Sequence, residues 1–263
     1  MLVVSNGAFK SGSTWLFSVA KILVPHSPLP EAFRATGWKN DSLSQPALTE
    51  FLSTVERKNT NYVVKNHLEK LEHRELLLSQ EDVLVLAIRR DMRDTIVSAY
   101  YHDMRNNGFK GTFELYFNSR GRQRMYEISR YHRVWEEPHP RLFQTSYEDF
   151  HLDFSGELRR MAAFLGREIG ADDLRKIRES TSFDRVQRVE KQRAGAADKL
   201  FFRKGVVGDW RNHFTPRMEV KLNQIVAEVR KEPPGYIPKR SLISKVFRLV
   251  KRLVMGVTKS KVA

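Results

Sequence analysis

Apolar residues along this chain fall into two kinds of pattern. Short runs without polar interruption recur: Leu2-Val3-Val4, closed by Asn6-Gly7; Tyr62-Val63-Val64; and Val83-Leu84-Val85-Leu86-Ala87-Ile88, flanked by charge on both sides. A run that is apolar at every position, rather than at alternate ones, predicts a strand covered on both faces. Arg141 to Gln144 is a fourth strand candidate. Between these runs apolar positions return at helical spacing, predicting helices over 12–24, about 93–106, 120–136, 156–165, 171–179 and 215–230. Strands alternating with helices predict an α/β fold, a central parallel β-sheet flanked by helices on both faces. Ligands of such sheets sit beyond the carboxyl ends of the strands, so the residues directly after each run carry the functional information.

Composition narrows the picture. Hydrophobic residues make up 41% of 263 positions, enough for a sizeable core and too many for a wholly disordered chain. Cysteine is absent, which excludes disulfide scaffolds, cysteine-rich zinc sites and thiol nucleophiles, and suits a reducing compartment. No apolar run approaches the roughly 20 residues of a membrane-spanning helix. The N-terminus lacks a basic region ahead of a long apolar stretch, so no secretory signal is expected and a cytoplasmic location is. The net charge is +15, and eight basic residues with no acid lie within 239–263 alone. A basic body points to an anionic ligand, a nucleic acid or an anionic surface.

The turn after the first run reads Gly7-Ala8-Phe9-Lys10-Ser11-Gly12-Ser13-Thr14-Trp15 and opens a helical pattern. Backbone N–H groups at a helix N-terminus, two hydroxyls and a lysine make a phosphate cradle. The turn nearly matches the nucleotide-binding pattern G-x-x-x-x-G-K-S/T, but serine stands at position 13 where that pattern needs lysine, and the lysine sits at 10.

Lys10-Ser11-Gly12-Ser13-Thr14-Trp15 resembles instead the 5′-phosphosulfate-binding loop of the sulfotransferases, K-S-G-S/T-T-W. Further landmarks follow in family order. Lys65-Asn66-His67 resembles K-T-H, with asparagine for threonine. Arg90 through Tyr100 resembles the 3′-phosphate segment R-D/N-P-R/K-D-x-x-V-S-x-Y, with Arg90 and Ser98 eight apart and Met92 for proline. Tyr147-Glu148-Asp149 and Thr181-Ser182-Phe183 match smaller elements. Arg203-Lys204-Gly205-Val206-Val207-Gly208-Asp209-Trp210-Arg211-Asn212-His213-Phe214 resembles R-K-G-x-x-G-D-W-K-N-x-F, with Arg211 for lysine. The resemblance spans roughly 2–215 and implies a P-loop-like sulfotransferase fold.

It also implies a co-substrate, 3′-phosphoadenosine 5′-phosphosulfate, and the product adenosine 3′,5′-bisphosphate, with no metal. Lys10, Gly12 and the N–H groups of Ser11, Ser13 and Thr14 would hold the 5′-phosphosulfate. Arg90, Ser98, Arg203, Lys204 and Gly205 would hold the 3′-phosphate. Trp15 and Phe183 would contact adenine, with Tyr147 and Thr181 beside it. His67 would be the general base, its ordinary pKa near 6.5 suiting neutral pH; Lys10 would neutralise the leaving oxygen and Lys65 contact the sulfuryl group. Glu69 is a rival base. The acceptor, a small molecule, lipid or glycan alcohol or amine, is expected against 26–45 and 100–118, around Phe33, Trp38 and Phe109. The chain opens almost directly on its first strand, and an acceptor site more open than in many cytosolic relatives is expected.

Residues 1–232 are expected to form the sulfotransferase domain. A linker holding Pro233, Pro234, Gly235 and Pro238 then leads to a basic amphipathic helix over 239–263, suited either to docking on protein or to peripheral membrane contact. The family's short dimerisation pattern is altered here by Pro216 and Val220, which leaves the oligomeric state open. Two rival functions stand beside this reading: a nucleotide kinase, from the Gly7–Gly12 turn, and a basic nucleic-acid-binding module, from the arginines of 120–133.

Overall fold

The structure is a computed structural model that describes residues 1–33, 42–43, 45–185, 187–188, 204–233 and 236. The expectations for Trp38, Arg203 and the basic helix over 239–263 lie outside these residues. Met1–Lys231 forms one compact unit.

Its centre is a four-stranded parallel sheet, built from β1 (Leu2–Gly7), β2 (Tyr62–Asn66), β3 (Val83–Arg89) and β4 (Leu142–Ser146), in the order β2-β1-β3-β4. Period-2 alternation divides each strand between two cores. Leu2, Val4, Val64, Val83 and Val85 face one side, where α2 (Gln45–Thr54), α4 (Met92–Asn106), α6 (Arg122–Val134) and α10 (Pro216–Lys231) add apolar side chains. Val3, Val63, Leu86 and Phe143 face the other, against α1 (Ser13–Leu23), α8 (Phe154–Phe164) and α9 (Ala171–Thr181). Both layers explain why the strand runs carry no polar face.

Two strands continue past their apolar runs. β1 takes in Ser5 and Asn6, and β2 takes in Lys65 and Asn66, all buried. Four helices lay outside the periodic pattern: α2, α3 (Leu71–Leu78), α5 (Phe113–Tyr116) and α7 (Tyr147–Leu152). α3, α5 and α7 are eight residues or fewer, so each presents too few turns to display an apolar stripe. α5 and α7 are instead marked by their caps, the Thr112 hydroxyl accepting from the Leu115 N–H and the Ser146 hydroxyl from the Asp149 N–H.

Asn6 ties the end of β1 to the turn after β2. Its carboxamide oxygen accepts the Leu68 N–H at 2.8 Å and its NH2 donates to the Leu68 carbonyl at 3.2 Å. The Trp135 indole also donates to the Leu68 carbonyl, at 2.7 Å, and the Tyr131 hydroxyl donates to the Asn6 carbonyl at 3.1 Å. The backbone groups of Leu68 and the Asn6 carboxamide are thereby satisfied, while the Asn66 side-chain NH2 stays buried without a partner among the described residues, and the turn is fixed beside Gly7.

Candidate functional site

Strand ends, helix starts and one distant turn converge on a cavity of about 440 Å³. Its first wall is the β1–α1 turn. Lys10 has φ +68° and Gly12 φ +101°, so the turn passes twice through left-handed backbone. At Gly12 a β-carbon would stand 2.7 Å from a Tyr147 ring carbon, which explains glycine there. The turn delivers α1 with the Ser13 and Thr14 N–H groups at its start, where no intrahelical acceptor exists. Ser11 is fully buried and does not line the cavity: its N–H and hydroxyl both donate to the Ala8 carbonyl, at 3.0 and 2.7 Å. The expected ligand contact from Ser11 is therefore corrected to a role inside the turn.

The β2 end supplies two bases. Lys65 is buried, and its ammonium donates to the Thr14 hydroxyl at 2.7 Å; burial holds its pKa down to about 8. His67 shares a 2.6 Å hydrogen bond between Nδ1 and the Gly7 carbonyl. Since a carbonyl only accepts, Nδ1 carries the proton and Nε2 carries the lone pair. Burial, then the charge of Lys65, pull the His67 pKa down to about 4. That corrects the expectation of a value near 6.5: the imidazole is neutral throughout the physiological range.

The third wall comes from β3, α4 and α7. The Arg90 guanidinium lies over the Tyr147 ring at 4.1 Å and donates to the Val206 carbonyl at 3.0 Å and the Lys10 carbonyl at 3.5 Å. It thus bridges the first turn and the late turn. Ser98 lines the cavity from α4. Trp15 packs among Tyr147, Phe150, His151 and Phe154, with its buried indole N–H unpartnered among the described residues. The Arg90 Nε is likewise buried and unpartnered. Two orphaned donors, a helix N-terminus and a cationic fork beside one cavity fit a polyanionic adenosine carrier.

The fourth wall is the turn at 204–208 with Thr181 and Phe183. Gly205 has φ +67°, and a β-carbon there would stand 2.2 Å from Phe183 Cδ2, so only glycine lets the turn approach that ring. The Lys204 ammonium lines the cavity but is paired with Asp209 at 2.9 Å, so it is no unspent cation. Thr181 spends its hydroxyl proton on the Ile177 carbonyl.

Among the described residues, every one expected to hold the donor or to act with His67 lines this one cavity, except Ser11; Phe33 and Phe109, expected at the acceptor, do not line it. Phe9, Ser18, His102 and His151 line it too and were not foreseen. Three of the four had a signal: Ser18, His102 and His151 each stand four residues after an expected contact, Thr14, Ser98 and Tyr147, and so share its helix face. Glu69 lies outside this cavity. The late turn is held by Asp94, buried on α4, whose carboxylate accepts the Gly208 and Trp210 N–H groups.

Comparisons with known proteins bear on family and fold. A family model described as a sulfotransferase domain matches residues 3–233. Sulfotransferase 1C2 of Homo sapiens is 28% identical over 238 residues, covering 82% of this chain and 78% of that protein. Cytosolic sulfotransferase 3 of Arabidopsis thaliana is 25% identical over 243 residues, covering 85% and 74%. A mouse sulfotransferase, SULT7A1, solved in complex with PAP, is similar in fold at 23% identity, with a TM-score of 0.65 over 88% of this chain and 85% of that chain.

Proposed function

The chain belongs to the sulfotransferase family, and from that premise we propose that it moves a sulfuryl group from 3′-phosphoadenosine 5′-phosphosulfate to an acceptor hydroxyl, with His67 as general base. The observation that carries the reading is the convergence of the Lys10–Thr14 turn and the Lys204–Val206 turn, from opposite ends of the chain, on one cavity with His67. A carrier with phosphate at two ends needs two cationic nests that face each other. PAP in the related mouse structure supports the same ligand class.

The chemistry follows from the side chains. Sulfuryl transfer, like phosphoryl transfer, asks for in-line positioning and for stabilisation of charge on the leaving oxygen. The Ser13 and Thr14 N–H groups and Lys10 receive that charge. Lys65, held against Thr14, attends the sulfuryl oxygens. The His67 Nε2 accepts the acceptor's proton while Nδ1–H stays on the Gly7 carbonyl, so one tautomer serves throughout. Glu69, outside the donor cavity, is the weaker candidate for base. Family membership favours sulfuryl transfer over the nucleotide-kinase and nucleic-acid-binding readings.

For location, no described helix is long and apolar enough to cross a membrane. The Arabidopsis relative is a cytosolic sulfotransferase, which supports a cytosolic enzyme here. Thermal shift and calorimetry with adenosine 3′,5′-bisphosphate test the donor reading: stabilisation and tight binding are expected, with ATP much weaker. Equal response to both nucleotides would sink it.

A further inference from the structure

A second cavity, of about 300 Å³, meets the first at Phe9 and His67, which line both. Its remaining charged and polar wall is Glu69, after β2, and Arg124, Glu127 and Tyr131 on α6. These come from neither stretch expected to face the acceptor, 26–45 or 100–118.

The polar groups of this wall differ in how far they are already engaged. The Arg124 guanidinium lies over the Phe9 ring at 4.4 Å and donates to the Tyr116 hydroxyl at 3.2 Å and the Asp103 carboxylate at 3.4 Å. Tyr131 gives its proton to the Asn6 carbonyl. Glu127 accepts one amide N–H, from Gln123, at 2.7 Å. Glu69 lines the cavity and has no hydrogen bond or ion pair with any described residue; the residue as a whole is exposed, but its carboxyl lies where water is partly excluded. With Arg124 drawn to Asp103, the two carboxylates leave this wall net negative, although Arg124 still acts on Glu127 and the charges of Arg130 and Lys70 act on Glu69. The pKa of Glu69 is raised, first by loss of water around its carboxyl and then by the charge of Glu127, against the opposing charges of Arg130 and Lys70.

Two carboxylates alone define no site. The continuity with His67 does. An acceptor must bring its hydroxyl within hydrogen-bond reach of the imidazole. The rest of the molecule then extends away from the donor, along Phe9, toward α6. We propose that this second cavity is the acceptor site, and that Glu69 and Glu127 select an alcohol or phenol that also carries an ammonium group: hydroxyl at His67, apolar body against Phe9, ammonium at the carboxylates. The inference rests on the sulfuryl-transfer reading. In the transfer, the acceptor oxygen forms a bond to sulfur as the bond from sulfur to the bridging phosphate oxygen breaks. The hydroxyl proton goes to His67, the electron pair leaves with adenosine 3′,5′-bisphosphate, and the ammonium keeps its protons.

The test uses the full chain and a matched pair, tyramine and N-acetyltyramine, which differ in charge. With the sulfate donor, kcat/KM for tyramine should exceed that for N-acetyltyramine by about ten-fold or more, the worth of one charge-assisted hydrogen bond. In Glu69→Gln and in Glu127→Gln that ratio should fall, and in the double variant it should approach one. Calorimetric binding of tyramine to the protein saturated with adenosine 3′,5′-bisphosphate gives a readout independent of turnover. A ratio near one in the unmodified protein, or no tyramine binding while the bisphosphate still binds, overturns the acceptor assignment and leaves the donor reading standing. Failure of the bisphosphate to bind removes the donor reading, and this inference with it.

Discussion

The carboxylate of Asp94 accepts the N–H of Gly208 at 2.6 Å, across more than a hundred residues of chain. Its other oxygen accepts the Trp210 N–H at 2.9 Å. One buried acid on α4 thus clamps the turn that brings Lys204, Gly205 and Val206 to the cavity proposed to hold the donor. Arg93, stacked over Trp210 at 3.5 Å, braces the same turn from the next position. Asp94→Ala would leave two buried N–H groups without an acceptor, at a cost of roughly 2–5 kcal/mol. Thermal unfolding should show that loss, and affinity for adenosine 3′,5′-bisphosphate should fall about ten-fold or more. Unchanged affinity in a variant that still folds would separate the clamp from donor binding.

The clamp also shows what was legible in the chain. The sheet, its longer helices apart from α2, and the Gly-rich turns of the cavity were readable because continuous apolar runs and Gly-rich turns record local backbone and burial demands. Asp94 lies inside the Arg90–Tyr100 segment and carries no sign of its partner, because a contact between α4 and the 208–210 turn has no periodicity. The same holds for Ser11, whose residue type suits a ligand contact while its local geometry turns both donors to Ala8. Lys204 was readable as basic, but its pairing with Asp209 depends on how the turn folds back. Burial was the least legible quantity. Lys65 and His67 look like ordinary bases in sequence, and only their enclosure moves their pKa values.

Gly205 and Gly108 form a natural control pair. Both have φ above +60°, but a β-carbon at Gly108 meets nothing within 4 Å, whereas at Gly205 it collides with Phe183. Gly108→Ala should therefore cost only the left-handed backbone, about 1 kcal/mol. Gly205→Ala should cost more and weaken bisphosphate binding several-fold, because Phe183 and the turn must part. Chemical denaturation and calorimetry on the two variants check this. Equal effects on binding would show that the Phe183 contact has no part in holding the donor.

His67→Ala removes the proposed base but not a donor contact. Turnover should drop about 10² to 10⁴-fold, while affinity for adenosine 3′,5′-bisphosphate stays within about two-fold. Single-turnover transfer from labelled donor measures the first quantity and calorimetry the second. Full turnover in the variant would reassign the base.

Lys65 sets a different limit. In the free enzyme its ammonium loses a proton near pH 8, so kcat/KM for the donor should fall as pH rises through that value. His67, with a pKa near 4, places the acid limb far below neutrality. Lys65→Met should lower kcat by about 10 to 100-fold, on the scale of a lost oxyanion contact, and abolish the alkaline limb. A limb that persists in this variant belongs to another group.

Stability should depend on pH through two buried histidines. His67 and His132 are each held neutral, chiefly by burial, with pKa values lowered from 6.5 to about 4. Between pH 6.5 and 4 the unfolded chain binds these protons and the folded chain does not. Stability therefore rises with pH in that window: the contribution is fully present above pH 6.5 and is lost as pH falls toward 4. Each histidine contributes up to about 3 kcal/mol of that slope. Urea midpoints measured from pH 7.5 down to 4.5 should fall steadily, and His132→Phe should flatten the decline by about half. A midpoint that does not move across this range would mean that neither imidazole is held neutral in the folded protein.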